Sequence, residues 1–264
     1  MTNRRNIYFF HQNDPLLIKR VQPLYELAET YSFTIVSDFK QANIIVSIGD
    51  DGTFLQAVRK TGFRDDCLYA GIAIGQLNMY CDFLLEDTSK MIESISIENI
   101  EVRRYPTIEI KLDDQPSFYA LNELSIRSSI IKTFVLDVFI DSLHFETFRG
   151  DGIIIATPTG STAYNKSVKG AVVDPTLPCF QVSELASINN NTYRTLDSSF
   201  ILGPERTLTI QLPESDDYPT FGMDNEALSI KDVKKIQVTL SGKVIKTVKL
   251  KDNSFWEKVK RTFL

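Results

Sequence analysis

The sequence predicts an α/β domain with a parallel sheet, followed by a β-rich domain with an antiparallel sheet. Over the first hundred residues, short apolar runs alternate with segments of helical periodicity, which is the order of strand–helix–strand units. From about residue 101 the apolar period changes from 3.6 to 2, as in half-buried strands. Residues 252–264 return to a helical pattern that begins with a capping residue, Asp252. These observations place the domains at residues 1–100 plus about 250–264, and at residues 101–249.

The first domain is predicted to begin with a strand at residues 7–10 and a helix. The apolar side chains of that helix recur at helical spacing: Leu16, Leu17, Val21, Leu24, Tyr25, Leu27 and Ala28. Strands follow at residues 34–37, 43–48 and 68–74, and a further helix begins at Phe54. Ligands bind such sheets at the carboxyl ends of the strands, so the turn after residue 48 is a candidate site.

The second domain is predicted to consist of strands joined by polar turns, with one short helix around residues 181–186. The strands are expected at residues 105–112, 118–127, 134–145, 153–155, 208–212, 228–230 and 236–240. The terminal helix carries Phe255, Trp256, Val259 and Phe263 on one side. We expect that helix to dock back on the first domain.

Composition excludes several classes of function. The chain has 264 residues, of which 43% are hydrophobic and 24% charged, enough for one large or two modest domains. A net charge of −5 disfavours a nucleic-acid partner, and the short basic runs at residues 231–235 and 258–261 are expected to be solvated. The N-terminal apolar run is too short for a signal peptide or a membrane span, which predicts a cytoplasmic protein without a membrane partner.

The three cysteines also argue for a reducing compartment. Cys67, Cys81 and Cys179 are widely spaced and form no Cys-x-x-Cys pair, so a disulfide framework or a zinc site is disfavoured. Neither a P-loop nor a Ser–His–Asp grouping is visible in the sequence.

A glycine-bearing turn connects the strand at residues 43–48 to the next helix. Residues 49–53 read Gly-Asp-Asp-Gly-Thr. Such a turn presents free N–H groups to phosphate, and the helix dipole adds to the attraction. An ordinary turn with an aspartate capping the helix would show the same residues. The strand–turn–helix context favours phosphate binding, with Gly49, Asp50, Gly52 and Thr53 as candidates.

A longer run of small residues occupies positions 150–167, Gly-Asp-Gly-Ile-Ile-Ile-Ala-Thr-Pro-Thr-Gly-Ser-Thr-Ala-Tyr-Asn-Lys-Ser. Three isoleucines form a short strand, and hydroxyl residues, proline and glycine form the loop after it. This loop brings backbone N–H and side-chain O–H groups close to a ligand without bulky side chains in the way. Any six residues of it also fit an ordinary strand-to-loop junction; the full run is far more specific.

Together the two segments resemble the motifs of the NAD kinases, which transfer phosphate from ATP to the adenosine ribose 2′-hydroxyl of NAD. The match is closest to the NAD kinases of Gram-positive bacteria and is nearly continuous over residues 119–193. The resemblance implies a Rossmann-like first domain, a sandwich-like second domain and a C-terminal helix that returns to the first. It also implies an active site between the domains, and a homodimer or homotetramer.

The resemblance assigns a role to each candidate residue. Asp51 would be the general base that orients the ribose hydroxyl and accepts its proton, and Gly52 would let the backbone approach the dinucleotide. Asn122 and Glu123 would read the nicotinamide end or a ribose, because an amide both donates and accepts. Arg149 would meet the phosphates or the nicotinamide. The other dinucleotide-binding candidates are Tyr80, Asp151, Thr162, Ala163, Tyr164, Asn165, Lys166, Ser167, Ala186, Ile188, Tyr193 and Asn225. Among these, Ala186 and Ile188 would meet the adenine, and Tyr193 would reach a neighbouring subunit's site.

Asp50 departs from the family motif Gly-Gly-Asp-Gly-Thr, because it replaces the second glycine. It adds a Cβ where the backbone is expected to need a positive φ, and a negative charge beside the triphosphate. Two unit charges about 4 Å apart repel by ~1 kcal/mol in water and ~4 kcal/mol at an effective dielectric near 20. That repulsion corresponds to roughly fivefold to a thousandfold in affinity. A divalent cation, Mg²⁺ or Mn²⁺ carried by ATP, would offset it; no metal-ligand set of the protein itself is predicted.

A second departure lies at residues 75–82, where the family often has Gly-His-Leu-Gly-Phe. Asn78 replaces a glycine and Met79 replaces the phenylalanine, whereas Tyr80 remains aromatic. Asparagine tolerates the left-handed conformation, so the turn is expected to survive.

Three functions stay open at the level of the sequence. The first is an NAD kinase that binds ATP–Mg²⁺ and NAD. The second is an NAD- or NADP-binding protein that is catalytically weakened by Asp50. The third is a lipid or sugar kinase that shares a related glycine motif. The phosphoryl donor (ATP, another triphosphate or polyphosphate) and the choice between NAD and NADH are also open.

Overall fold

The computed structural model describes residues 5–129, 133–212, 219–228, 230 and 232–264. It divides into two compact units, unit 1 with Met1–Arg104 and Ile245–Leu264, and unit 2 with Tyr105–Val244. The fold class is confirmed: unit 1 holds a mainly parallel sheet with helices, unit 2 holds antiparallel sheets, and the chain ends in a helix. No helix within the described residues is both long enough and apolar enough to cross a membrane.

The elements have the following bounds. The helices are α1 (Pro15–Thr30), α2 (Asp51–Lys60), α3 (Thr88–Ser96), α4 (Tyr164–Ser167) and α5 (Phe255–Phe263). The strands are β1 (Asn6–Phe10), β2 (Thr34–Ile35), β3 (Ile44–Gly49), β4 (Leu68–Ala73), β5 (Phe83–Leu84), β6 (Ile100–Leu112), β7 (Phe118–Ala120), β8 (Glu123–Arg127), β9 (Phe134–Ile140), β10 (Leu143–Gly150), β11 (Gly152–Ala156), β12 (Phe180–Leu185), β13 (Phe200–Leu202), β14 (Thr207–Gln211), β15 (Thr220–Met223), β16 (Glu226–Leu228) and β17 (Lys235–Leu250). A short 3-10 turn covers Thr159–Thr162.

Unit 1 is built on parallel strands. β1 lies between β2 and β3, β3 pairs with β4, and β4 pairs with β5, all in parallel register. β3 and β4 are apolar on both faces because helices cover such a sheet. α1 begins at the cap Asp14, whose carboxylate accepts from two backbone N–H groups, and it buries Val21 and Leu24 in the core. The carboxyl end of β3 leads directly into α2, which positions the glycine turn.

Unit 2 contains two antiparallel sheets around one core. One sheet runs in the order β13-β12-β11-β8-β15-β16, and the other includes β10, β9, β14 and β17. The shared core contains Ile153 of β11, Phe221 of β15, Leu136 of β9 and Ile210 of β14. Strands of both sheets contribute side chains to this core, as in other sandwiches, and β11 is buried along its whole length.

The helix predicted around residues 181–186 is wrong, because these residues belong to strand β12. The strand pairs with β11 along residues 181–185 and with β13 along residues 180–182, so the ladder satisfies backbone groups that a helix would have paired internally. Phe180 and Val182 enter the core from one face, which is a period of two.

Several other boundaries differ from the prediction. The strand predicted at residues 118–127 is two strands, β7 and β8, in different sheets, the strand predicted at residues 236–240 continues to Leu250, and the helix predicted to begin at Phe54 begins at Asp51. The single strand predicted at residues 134–145 is a hairpin of β9 and β10, because Asp141 adopts a left-handed φ of 55° and reverses the chain. The strand predicted at residues 34–37 ends at Ile35. The strand predicted at residues 228–230 overlaps β16 only at Leu228, and residue 229 lies outside the described residues.

The cap of the terminal helix also differs. Ser254 caps α5 rather than Asp252, and Glu257 completes a capping box. Trp256 is half exposed, whereas Lys258 is buried.

Candidate active site

The glycine turn after β3 depends on Gly49. Its φ is +154°, and a Cβ at this position would lie 2.4 Å from Thr53 Oγ1. Asp50, in contrast, has a φ of −95°, so the expectation of a positive φ at Asp50 is wrong: the conformation that needs glycine is one residue earlier. The turn therefore accepts an aspartate at position 50 without backbone strain.

Asp50 is the cap of α2. Its Oδ1 accepts from the N–H of Thr53 at 2.7 Å and from Thr53 Oγ1 at 2.8 Å. These hydrogen bonds lower the pKa of Asp50, so the carboxylate stays ionised and stabilises the helix N-terminus. Capping, one of the two interpretations of this turn, is thus performed by Asp50 and not by Asp51.

Asp51 is the first residue of α2, and its carboxylate faces the segment at residues 79–80. Oδ1 accepts from the N–H of Tyr80 at 2.7 Å, and Oδ2 accepts from the N–H of Met79 at 3.1 Å. Burial raises the pKa of Asp51, although the two N–H groups and the charges of Lys249 and Lys258 oppose that rise. The result is a fixed, poorly solvated carboxylate, which makes it a stronger base than an exposed aspartate.

The turn at residues 75–82 forms with Asn78 and Met79 in place of the family residues, but Asn78 acts through its side chain and not through a left-handed backbone. Asn78 does not adopt a left-handed φ; instead its Oδ1 accepts from the N–H of Cys81 at 2.9 Å. The ring of Tyr80 is 3% exposed and stacks on Phe54 with a centroid distance of 4.7 Å. The Tyr80 ring is therefore part of the core, and what this residue gives to the candidate site is its N–H.

A buried ionic cluster behind this segment was not predicted. Asp82 and Lys249 are fully buried and Lys258 is 1% exposed, and both lysine ammonium groups face the Asp82 carboxylate. The expectation of a solvated basic run at residues 258–261 is therefore wrong for Lys258. Its neighbours one helical turn away include Ser254, Arg261 and Thr262, so the local sequence did not signal that Lys258 is buried.

In unit 2, Asp224 holds the junction before β8. Its carboxylate accepts from the N–H of Asn122 at 2.6 Å and of Leu121 at 3.1 Å. Its own N–H donates to the Glu123 carbonyl oxygen at 2.9 Å, and its φ is +52°. Sequence analysis missed Asp224, because nothing local marks a residue about a hundred positions from its partners.

Glu123 is a buried acid at the start of β8. Its side chain is 7% exposed, and within the described residues Oε2 has no hydrogen-bond partner. Burial, assisted by the charge of Asp224, raises the pKa of Glu123 to about 8. At neutral pH this carboxyl group is mostly protonated and is able both to donate and to accept a hydrogen bond.

The loop after β11 packs closely against the Asn122 junction. The hydroxyl groups of Thr157 and Thr159 donate to the Leu121 carbonyl oxygen at 2.5 and 2.9 Å. A Cβ on Gly160 would lie 2.0 Å from the Asn122 carbonyl oxygen, so this position requires glycine. The small residues of the loop thus bring two chain segments together, and only secondarily leave room for a ligand.

The residues that follow the loop differ in accessibility. Thr162, Ala163 and Tyr164 are half-buried, and Lys166 and Ser167 are exposed. Asn165 is fully buried, and its Oδ1 accepts from Ser183 Oγ at 2.6 Å. Its side chain therefore supports the loop from within instead of facing a ligand.

Arg149, Ile188 and Tyr193 form a second group in unit 2. The Arg149 guanidinium lies 4.9 Å from the centroid of the Tyr193 ring, and the N–H of Ile188 donates to the Arg149 carbonyl oxygen at 2.7 Å. Ala186 is exposed with a left-handed φ of 49°, and Asp151 is also exposed. Asn225 is exposed and follows Asp224 in the β15–β16 turn.

Among the residues described, no group of three or more His, Cys, Asp or Glu side chains is arranged to hold a metal ion. Asp50 and Asp51 are adjacent in the chain at the start of α2, but the Asp50 carboxylate accepts from Thr53 and the Asp51 carboxylate accepts from the N–H groups of residues 79 and 80.

Comparison with known proteins agrees with the motifs. The family model for the ATP-NAD kinase C-terminal domain matches residues 121–250. NAD kinase 2 of Bacillus anthracis is 62% identical over 267 residues, covering 100% of both chains. Two solved structures share the fold at 20% identity: yeast NADH kinase complexed with NADH (TM-score 0.78, 98% of this chain and 87% of that one) and an NAD kinase from Archaeoglobus fulgidus in complex with ATP (TM-score 0.73, 98% and 96%).

Proposed function

The chain belongs to the NAD kinase family of enzymes, and we propose that it transfers the γ-phosphate of ATP to the adenosine ribose 2′-hydroxyl of NAD, with Asp51 as general base. The observation that carries the assignment of the base is the fixed carboxylate of Asp51, which accepts from the N–H groups of Met79 and Tyr80 at 3.1 and 2.7 Å.

Asp51 is suited to orient an alcohol and accept its proton. Phosphoryl transfer needs positioning and charge compensation more than covalent chemistry from the protein. A hydroxyl group is a weak nucleophile until a base takes its proton, and burial raises the pKa of Asp51 toward the range in which a carboxylate is an effective base. Because two N–H groups fix the carboxylate, little reorganisation is needed at the moment of transfer.

The start of α2 is the proposed phosphate site. Gly49, Asp50, Gly52 and Thr53 surround the positive end of the helix dipole, which favours an anion. A divalent cation bound with ATP would supply positive charge that compensates the phosphates and the two carboxylates.

The proposed NAD-binding residues of unit 2 lie at the β8 junction, at the end of β10, in the loops after β10, β11 and β12, and in the β15–β16 turn. Glu123 is suited to a ribose hydroxyl or a carboxamide, because its protonated carboxyl group donates and accepts. The further proposed contacts are Asn122, Arg149, Asp151, Thr162, Ala163, Tyr164, Lys166, Ser167, Ala186, Ile188, Tyr193 and Asn225. We propose that Asn165 only supports this surface, and that the ring of Tyr80 packs on Phe54 in unit 1 without contacting the dinucleotide.

We also propose that the chain forms a homodimer or homotetramer, in which Tyr193 serves a neighbouring subunit. The alternative of a weakened NAD-binding protein has no support from the relatives, and the negative φ of Asp50 removes the argument from backbone strain.

The test is NADP formation from NAD and ATP–Mg²⁺, with NADH and polyphosphate assayed as the competing acceptor and donor. We expect NADP from NAD and ATP at a rate well above that without enzyme. Absence of NADP from every donor, with NAD still bound, would contradict the proposal.

A further inference from the structure

Helix α5 places a lysine against the segment that holds Asp51. Lys258 is 1% exposed, and its ammonium group donates to the Met79 carbonyl oxygen at 3.0 Å and to the Asp82 carboxylate. Lys249 of β17 is fully buried, and its ammonium group donates to the Tyr80 carbonyl oxygen. A buried ammonium group is costly unless it is paired, so these partners fix both lysines in place.

A single peptide group connects Lys258 to Asp51. The carbonyl oxygen of Met79 accepts from Lys258, and the N–H of the same peptide group, which belongs to Tyr80, donates to Asp51 at 2.7 Å. Hydrogen bonds in series polarise one another, so a cation at the carbonyl end makes the N–H a stronger donor. The geometry links a residue near the C-terminus to the carboxylate at the start of α2.

We propose that Lys258 is a positioning residue for Asp51, acting through the peptide group that joins Met79 to Tyr80. This inference rests on the proposed function, in which Asp51 is the general base. Lys258 does not touch the substrate; it fixes the place of the carboxylate and favours its ionised form. Asp82 holds the Lys258 ammonium group in the orientation that reaches Met79.

The surrounding charges support the inference that Lys258 favours the ionised form of Asp51. Burial acts to raise the pKa of Asp82, but Lys249 and Lys258 outweigh it and hold that pKa below its ordinary value. Burial raises the pKa of the Cys81 thiol to about 12, so Cys81 adds no charge beside Asp51. The two lysines are therefore positive charges that oppose the rise in the pKa of Asp51.

Lys258 carries its charge in the acidic range. Burial and the charge of Lys249 lower the pKa of Lys258 to about 7, with Arg103 acting in the same direction and Asp82 against it. Below neutral pH, Lys258 is protonated. Asp50, the other carboxylate near Asp51, has a lowered pKa and is ionised over the same range.

The test is the pH profile of kcat/KM for NAD in Lys258→Met, with Lys260→Met on the exposed side of α5 as the matched control. We expect Lys258→Met to lose roughly ten- to hundredfold in kcat/KM, because the base is no longer held in place. Its acid limb should move to higher pH by roughly one unit, because an opposite charge near Asp51 is gone. Lys260→Met should match the wild type in both measurements.

Two further variants keep the inference falsifiable. If Lys258→Met does not fold, Lys258→Gln replaces it: it keeps a donor without the charge and should show the same shift. Lys258→Arg keeps the charge and should keep the acid limb at the wild-type pH. A folded Lys258→Met or Lys258→Gln with an unshifted acid limb overturns the inference. Failure of the proposed function looks different, since the wild type would then form no NADP, or Asp51→Asn would turn over like the wild type.

Discussion

The candidate region in unit 1 and the candidate region in unit 2 differ in how their acidic side chains are hydrogen-bonded. In unit 1 the protein itself provides partners: Asp50 binds Thr53, and Asp51 binds the N–H groups of residues 79 and 80. In unit 2, Glu123 is more deeply buried than either aspartate, yet within the described residues its Oε2 has no partner. Because buried polar atoms are nearly always satisfied, we infer that the catalytic side is preorganised, whereas a ligand completes the dinucleotide side.

Alanine substitutions at Gly160 and Gly49 test the two regions separately, because a Cβ at either position would lie too close to neighbouring atoms. Gly160→Ala would bring a Cβ to 2.0 Å from the Asn122 carbonyl oxygen, a backbone atom that cannot rotate away. We expect unfolding free energy to fall by roughly 2–4 kcal/mol and the KM for NAD to rise at least about tenfold. Chemical denaturation and steady-state kinetics measure both effects.

Gly49→Ala should act on the other substrate. Its Cβ would meet the Thr53 side chain at 2.4 Å, so we expect a loss of roughly 1–3 kcal/mol and a higher KM for ATP. Gly203→Ala, where a Cβ meets nothing within 4 Å, is the control and should stay within about 0.5 kcal/mol of wild type. The distinction between the two sides fails if both glycine variants raise the KM of the same substrate.

The pH dependence of stability in Glu123→Gln tests whether the Glu123 carboxyl group is neutral in the folded chain. The pKa of Glu123 is raised to about 8 in the folded chain, so ionisation is favoured in the unfolded chain between the ordinary glutamate pKa and about 8. Wild-type stability should therefore fall as pH rises through this window, with a slope of at most about 1.4 kcal/mol per unit from this group. Glu123→Gln should lack this component, and exposed Glu205→Gln should retain it. Parallel stability curves for wild type and Glu123→Gln would show that the acid is not held neutral.

Asp50→Gly carries the smallest expected effect. It removes the cap of α2, so unfolding free energy should fall by a few tenths to about 1 kcal/mol. NADP formation should not increase by the roughly fivefold to thousandfold that relief of charge repulsion would give. A gain of that size in a turnover assay would restore the electrostatic objection to Asp50.

Local pattern was enough to predict the fold class and the strand–turn–helix at residues 43–54. Apolar period and glycine placement determine such elements over a few residues. The same reasoning failed at residues 181–186, because a six-residue run does not distinguish the two periods until its pairing partners are known. It also missed the residues that stabilise the site but lie far from it in the sequence. Asp82 and Lys258, for example, are 176 positions apart and meet only in the folded chain.

The most direct test of the central claim is the single-turnover rate of NADP formation by wild type and Asp51→Asn, with NAD and ATP–Mg²⁺ saturating. Asparagine nearly matches the size of the carboxylate but cannot accept the proton. The account predicts a loss of roughly 10²- to 10⁴-fold in rate with both substrates still bound. A wild-type rate in folded Asp51→Asn would contradict it.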